Sequence, residues 1–563
     1  MPLLLLLSLV LLDTRTLPSS SLMMADAFSS PLQMLATSVP SKRKRSNSHR
    51  SPLAEKADLR KSASRQRRDS QHQNKNNQNK KGSSSFPSNT NTKTSKEHPN
   101  NKQTPRSLGE AVQHAQTTQE LLEVASQFWL PTDPDLPSHL RTQAVHHEKR
   151  QRWGAQLLSK LGDSCLYSPS SLLLVSWQDS RLTRGVLAAA LPFEADSKRT
   201  ISDQKKEART LREALLGLHT LVSQTYECSN NEHSPNNPDL LIGIKRLLER
   251  AESLADIYDL NEALEVRWAA RGIVARLGSS VAPSDPDMSI LDSNDDDDDK
   301  TWYLASCFPQ LESRVESLPF DVLPLGIDLS SDLDGLQSSV DNQYDMINLL
   351  QESIPFQFDT IVTRTGNSVT ERRGTAWVAE EGIGALAYSG KLMPPSPVPP
   401  LVRDFMRRIE TAIQAPMPKF FDCALCNYYP DADAACKWHT DPEHGKMWER
   451  LCCVVAIGSP RKFAFRPIPG HTSWNEWDGP DSNEDTNCCA AAIRLFPGDA
   501  VIMWGSCNDD FHHAVYPENE QPHTSDLQRV SLVLKRAIVR GGRRGHGLEG
   551  HGRRARRKKN MKT

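Results

Sequence analysis

The sequence predicts an α+β protein: a C-terminal domain of short strands, either a barrel or a double-sheet jelly roll, preceded by an all-α domain and framed by disordered basic tails. Three observations predict it. Between residues 421 and 539, short apolar segments are separated by Pro-Gly and Asn-Asp turns, the punctuation of an antiparallel β-domain. Between residues 107 and 278, apolar residues recur at helical spacing instead. The remaining stretches are low in complexity and too polar to build a core.

The chain has 563 residues, 37% of them hydrophobic, and a net charge of -1. The overall charge therefore selects no partner, and it averages over very unequal segments. Residues 1–28 begin with PLLLLLSLVLL, an apolar run of signal-peptide length that is too short to cross a bilayer as a helix. No basic residue precedes it, and the small-x-small pattern Ala25-Asp26-Ala27 lies far beyond it. Two readings stay open: a targeting segment for a plastid or other organelle, and an upstream extension with Met23 or Met24 as the start. No other stretch is long and apolar enough to span a membrane. Residues 29–106 are rich in Ser, Asn, Gln, Lys and Arg and are expected to be disordered. Their basic clusters, Lys42 to Arg45 and Arg65 to Arg68, read as nuclear import signals or nucleic-acid-binding arms, which favours the nucleus.

Residues 107–278 form the helical domain, with Leu211, Leu215, Leu218 and Leu221 along one helix face. Binding a protein partner, or a role in assembly, is the default expectation for it. Residues 279–318 contain Asp295 to Asp299 and read as an acidic, self-repelling linker. The domain at 319–540 opens with a helix at 345–352, and an amphipathic helix at 401–413 carries Val402, Phe405, Ile409 and Ile413 on one side. Strands are expected at 421–429, 451–457, 462–466, 490–496, 500–504, 513–516 and 529–539, with a tight turn at Pro497-Gly498-Asp499. Residues 541–563 are Gly-rich and basic, a disordered tail suited to a phosphate backbone.

Eleven cysteines without regular spacing argue against a disulfide framework. Cys423 and Cys426 have the spacing of half a zinc or redox site. No second pair completes it, and their apolar company reads as a buried strand. The stretch FDCALCNYYPDADAACKWHTD (421–441) is more telling, because it ends in His439-x-Asp441, and His513 and Arg529 follow downstream. Two imidazoles and one carboxylate are the donor set that holds non-haem Fe(II) with coordination positions left open.

Residues from about 345 to 537 resemble the AlkB family of Fe(II)- and 2-oxoglutarate-dependent dioxygenases. The matching features, in order, are Ile354-Pro355-Phe356, the Trp377 region, Tyr388-Ser389-Gly390, FDxxLxNxY at 421–429, His439-x-Asp441, Gly498-Asp499 with Trp504, His513 before Ala-Val, and Arg529-x-Ser531-Leu532. The resemblance implies a double-stranded β-helix (jelly-roll) catalytic domain that uses Fe(II), 2-oxoglutarate and O2. It implies His439, Asp441 and His513 as iron ligands, with His512 the neighbouring alternative. It implies 2-oxoglutarate held by Asn427, Tyr429, Arg529 and Lys535, with Arg529 as a bidentate fork. The family usually has a second arginine where this chain has Lys535, which keeps the charge but loses the fork. Tyr388, Glu443 and Trp377 match substrate-side positions, with core packing the alternative for the two aromatics.

The implied activity is oxidative dealkylation of alkylated nucleobases in DNA or RNA, as in repair or demethylation. Two rivals stand beside it. One is oxidation of a methylated protein or small molecule; the other is a catalytically weak nucleic-acid-binding module, which Lys535 keeps open.

Overall fold

The computed structural model describes residues 107–128, 147–167, 171, 174–191, 199–228, 237–283, 307–327, 329, 343–362, 366–388, 391–441, 444–468, 490–518 and 527–538. The expected targeting segment, both basic tails and the run Asp295 to Asp299 lie outside these residues, as does Glu443. Helices and antiparallel sheets are both present, as an α+β chain requires. No helix of the described residues is long and apolar enough to cross a membrane.

The helical part begins where the sequence changes texture. Ser107 caps Leu108–His114, and Thr117 with Glu120 makes a capping box for Thr118–Ala125, each side chain supplying a partner to otherwise orphaned backbone groups. The two long helices His147–Tyr167 and Ile201–Cys228 cross with their backbones touching. A Cβ on Gly217 would lie 2.5 Å from Ser159 Cα, and one on Gly162 would lie 2.6 Å from the Gly217 carbonyl. Glycine is needed there for close approach. Leu211, Leu215, Leu218 and Leu221 are fully buried, the face their spacing predicts.

The strands are β1 Phe320–Leu323, β2 Thr360–Val362, β3 Ser368–Thr370, β4 Gly374–Ala379, β5 Leu386–Tyr388, β6 Lys391–Met393, β7 Cys423–Tyr429, β8 Cys436–His439, β9 Cys452–Gly458, β10 Arg461–Pro467, β11 Ala491–Leu495, β12 Ala500–Met503, β13 Phe511–Val515 and β14 Arg529–Lys535. Six of them make one antiparallel sheet in the order β1-β12-β9-β14-β7-β4, and four make a second in the order β11-β10-β13-β8. Hairpins β2-β3 and β5-β6 stand apart as two-stranded sheets. The expected strands from residue 421 onward each coincide with one of these within a few residues, as do the helices Gln343–Ser353 and Pro400–Ala412. Gly498, at φ +83, makes the tight turn between β11 and β12.

Strand alternation sorts the side chains of the larger sheet. Ala424, Cys426, Val530, Leu532, Leu534, Val455 and Ile457 join Ile347, Leu350, Val402, Phe405 and Ile409 in one core, so two helices cover that face. Cys423, Leu425, Tyr429, Val533 and Val454 join Phe463, Phe465 and Ile493 of the smaller sheet in the other core. Cys423 and Cys426 thus point to opposite faces. Both are free, buried thiols whose ionisation burial pushes far up. They cannot share one ion, which is the buried-strand reading of that pair.

Helix Leu260–Leu277 joins the helices to the sheets and is buried on nearly every side. Trp268 packs on Phe320 and Phe465, and its Nε1 donates to Asp321 Oδ1 at 3.1 Å. Arg271 Nη1 donates to Asp321 Oδ2 at 2.8 Å, and Glu265 Oε1 accepts from the Ala492 backbone N–H at 2.7 Å. Arg276 Nη2 meets Asp499 Oδ1 at 2.9 Å.

Candidate metal and keto-acid site

β8 and β13 are neighbours in the smaller sheet, and His439 pairs directly with His513 across them. That register brings the two imidazole centroids to 4.3 Å. Asp441 lies two residues past the end of β8, where its backbone N–H donates to Asn508 Oδ1 at 2.9 Å. The carboxylate returns toward the rings, with Oδ1 3.7 Å from His439 Nε2 and 4.0 Å from His513 Nε2. The three residues form a candidate metal-holding group. A first-row divalent ion with donor bonds of about 2 Å needs its donors about 3 Å apart. These donors are within a short closure of that spacing.

The protonation states of Asp441 and His513 suit a cation. His439 Nδ1 lies 2.8 Å from the Lys437 carbonyl, so it carries the ring hydrogen and Nε2 keeps its lone pair in the neutral ring. Burial pushes the His513 imidazole down to about 3, leaving it uncharged. Burial opposes ionisation of Asp441, but the Lys535 ammonium and the surrounding histidines outweigh it and hold the carboxyl well below its ordinary range. For His439, burial is outweighed by Cys436 and Asp441, and its imidazolium is held up to about 9, so a metal ion at Nε2 has to displace that proton.

In the larger sheet, β14 and β7 place a set of polar residues on one face. Arg529 pairs with Tyr429 and Ser531 pairs with Asn427, and period-two alternation turns all four side chains to the same side. Arg529 is fully buried, and burial lowers its guanidinium to about 10. Its Nε donates to Ser531 Oγ at 3.3 Å and its Nη1 to the Ser459 carbonyl at 3.4 Å, while Nη2 has no partner. No carboxylate pairs with it among the described residues. Asn427 Oδ1 is likewise buried without a hydrogen bond. A buried guanidinium lacking a counter-ion is costly unless an anion completes it. A dicarboxylate such as 2-oxoglutarate fits that requirement.

Lys535 lies on the same side of β14 as Arg529, as alternation predicts, but its Nζ donates to Asp441 Oδ2 at 2.6 Å and to His444 Nε2 at 2.8 Å. Tyr388 is buried on β5 with its hydroxyl hydrogen-bonded to Arg373, and that guanidinium lies over the phenol ring at 5.5 Å. Trp377 is deeper still. Its ring meets Trp448 edge-on at 5.2 Å, and its Nε1 donates to the Gly384 carbonyl at 3.1 Å. His512 is half-buried on β13 and faces away from His513 by strand alternation.

Four site residues have no motif to announce them: Arg373, Cys436, His444 and Asn508. Cys436 Sγ sits 3.6 Å from His439 Nδ1. Burial disfavours its thiolate, yet His439 and Arg373 bring its ionisation down. Arg373 immediately precedes β4 and lies near Tyr388, Tyr429 and Cys436. Its only trace in the sequence is its place directly ahead of the apolar run Gly374–Ala379.

Residues 335–543 match the family model of the 2OG-Fe(II) oxygenase superfamily. Uncharacterized protein R406 of Acanthamoeba polyphaga mimivirus is 29% identical over 173 residues, 31% of this chain and 78% of that protein. Alpha-ketoglutarate-dependent dioxygenase alkB homolog 3 of Rattus norvegicus is 28% identical over 166 residues, 29% of this chain and 49% of the rat protein. Its Mus musculus counterpart is 28% identical over 165 residues and is covered to 51% of its length, so this chain spans about half of each rodent relative. Residues 335–543, then, are similar to the 2OG-Fe(II) oxygenase superfamily and to AlkB-like 2-oxoglutarate-dependent dioxygenases within it.

Proposed function

We propose that this protein oxidatively dealkylates alkylated nucleobases in DNA or RNA, with His439, Asp441 and His513 holding Fe(II) and with Asn427, Tyr429 and Arg529 binding 2-oxoglutarate. In this reading the two large sheets are the halves of a double-stranded β-helix. The observation that carries it is the pairing of a compact His-Asp-His group with a buried, anion-less Arg529 on the inner face of the other sheet. Fe(II) with 2-oxoglutarate and O2 supplies the oxidising power for hydroxylating an N-alkyl carbon. Arg529 neutralises the far carboxylate, Asn427 offers a buried amide to the bound acid, and the apolar walls of the inner core exclude water.

The nucleobase half of the proposal draws support from the rodent relatives' AlkB names and from Tyr388, whose ring is fixed by Arg373 near the site. It also draws on the basic runs at both ends of the chain. These basic runs also favour the nucleus; comparing the tagged full chain with a version starting at Met23 would show where each accumulates. The test of activity is succinate release by the full chain with Fe(II) and 2-oxoglutarate. Release stimulated by N-methylated oligonucleotides over unmethylated ones is expected. Succinate release that no methylated DNA or RNA stimulates would point instead to a methylated protein or small molecule, and binding of both co-substrates with no release to a catalytically weak nucleic-acid-binding module.

A further inference from the structure

Asp441 is gripped on both oxygens, and only one of them faces the His-Asp-His group. Oδ1 is the atom near His439 and His513. Oδ2 accepts the 2.6 Å hydrogen bond of Lys535, and the same ammonium donates to His444 Nε2 at 2.8 Å. Asp441, His444 and Cys452 have the donor types and spacing of a second metal cluster. The ammonium of Lys535 already lies against two of those three donors, so the cation of that cluster is part of the chain itself.

We infer that Lys535 and His444 are a positioning pair that reserves Oδ2 of Asp441 and leaves Oδ1 to the metal, so that the keto acid's charge is met by Arg529 without Lys535. The inference rests on the dioxygenase reading above.

The fold builds this pair rigidly. Lys535 ends β14, whose seven residues are all buried and which is paired on both edges. His444 opens a tight turn in which Gly445, at φ +72, donates its N–H to the Trp448 carbonyl at 2.6 Å. Trp448 then bridges to Ala537, two residues beyond Lys535. Both partners of Asp441 are therefore anchored to the end of one strand. An ammonium is a compact charge with three freely placed donors, and it suits the narrow gap between a carboxylate and an imidazole. A planar guanidinium would have to displace one of them. Groups that orient a metal ligand from behind in this way tune metal affinity.

The test uses the full chain and Mn(II) as the metal probe. Free Mn(II) is followed by EPR without 2-oxoglutarate, and 2-oxoglutarate binding is then measured by calorimetry on Mn(II)-saturated protein. Lys535→Met is expected to weaken Mn(II) binding about 10- to 100-fold while 2-oxoglutarate affinity stays within about threefold. His444→Leu should weaken Mn(II) binding in the same direction but less, and it decides the matter if the lysine variant does not fold. Lys535→Arg should not tighten 2-oxoglutarate binding.

The proposal is overturned if Lys535→Met keeps wild-type Mn(II) affinity and loses 2-oxoglutarate, or if Lys535→Arg tightens the keto acid. Wild-type protein that bound neither Mn(II) nor 2-oxoglutarate would sink the dioxygenase reading, and this proposal with it. Wild-type binding of both, with Lys535→Met defective only toward the keto acid, sinks this proposal alone.

Discussion

Replacing Arg276 by methionine should destabilise the helices and the sheets together. Arg276 comes from helix Leu260–Leu277 and Asp499 from the turn before β12, and their side chains are 0% and 2% exposed. At 2.9 Å and an effective dielectric of about 20, the gross attraction is about 6 kcal/mol. Desolvation offsets much of that, so the net worth of the intact pair is small. Removing one partner is different, because Asp499 would stay buried with only the backbone N–H groups of Leu325 and Phe496 for company. Stranding a buried carboxylate in this way costs about 3–5 kcal/mol, a large share of the roughly 5–15 kcal/mol that holds a domain folded. Urea unfolding followed by circular dichroism and by tryptophan fluorescence is the assay. Both signals should shift to lower urea together, and 1 M NaCl should not reduce the loss, since salt screens buried pairs weakly. A loss under about 1 kcal/mol, the worth of an exposed bridge, would refute the reasoning. A separate early transition of the helices, with the strands left intact, would refute it equally.

Three further outcomes are expected. Arg529→Met removes the only counter-charge proposed for the far carboxylate and should raise the 2-oxoglutarate concentration needed for half-maximal succinate release by about 100-fold or more; an unchanged requirement in steady-state assays would move the keto acid elsewhere. Cys423→Ala with Cys426→Ala should leave the zinc content of purified protein, read by elemental analysis, equal to the parent's, and loss of one equivalent would reinstate the CxxC as a metal site. His219 is buried against Phe496, and burial, with Arg276 and Arg494 nearby, depresses its pKa well below the usual value. A histidine kept neutral in the fold contributes stability above its unfolded pKa of about 6.5 and loses it as the pH falls below that, because the unfolded chain takes up the proton. His219→Gln should therefore flatten the acid-side loss of stability by up to about 1.4 kcal/mol per pH unit. Urea midpoints at pH 5 and pH 7 that fall equally in both proteins would contradict it.

Local pattern was enough to read the strands from 421 onward, because turns bound each one and the core-facing residues are large and apolar. It could not show how the parts are joined. Arg267, Arg271, Arg276 and Glu265 look like the solvated face of an amphipathic helix, yet in the fold they are internal, and Asp321 and Asp499 are partners found 50 and 223 residues away. A charge at helical spacing does not say whether water or a distant carboxylate will receive it; only the return of the chain decides. The candidate site divides along the same line. His439, Asp441, His513 and Arg529 were legible because their order and spacing form a pattern, and alternation along β14 correctly put Lys535 on the side of Arg529. What alternation cannot give is the depth at which that side chain ends. The turn from His444 to Trp448 bridges back to Ala537, and this brings the histidine and the carboxylate of Asp441 to the ammonium. Lys535 thereby gains a partner that no local reading of either segment contains. The same logic separates Tyr388 from Trp377. Both were aromatic candidates for the substrate side, but Trp377 spends its N–H on a backbone carbonyl and its ring on Trp448. Tyr388 is instead tied to Arg373, a buried cation beside Cys436 and Tyr429, a pairing that neither segment announces by itself.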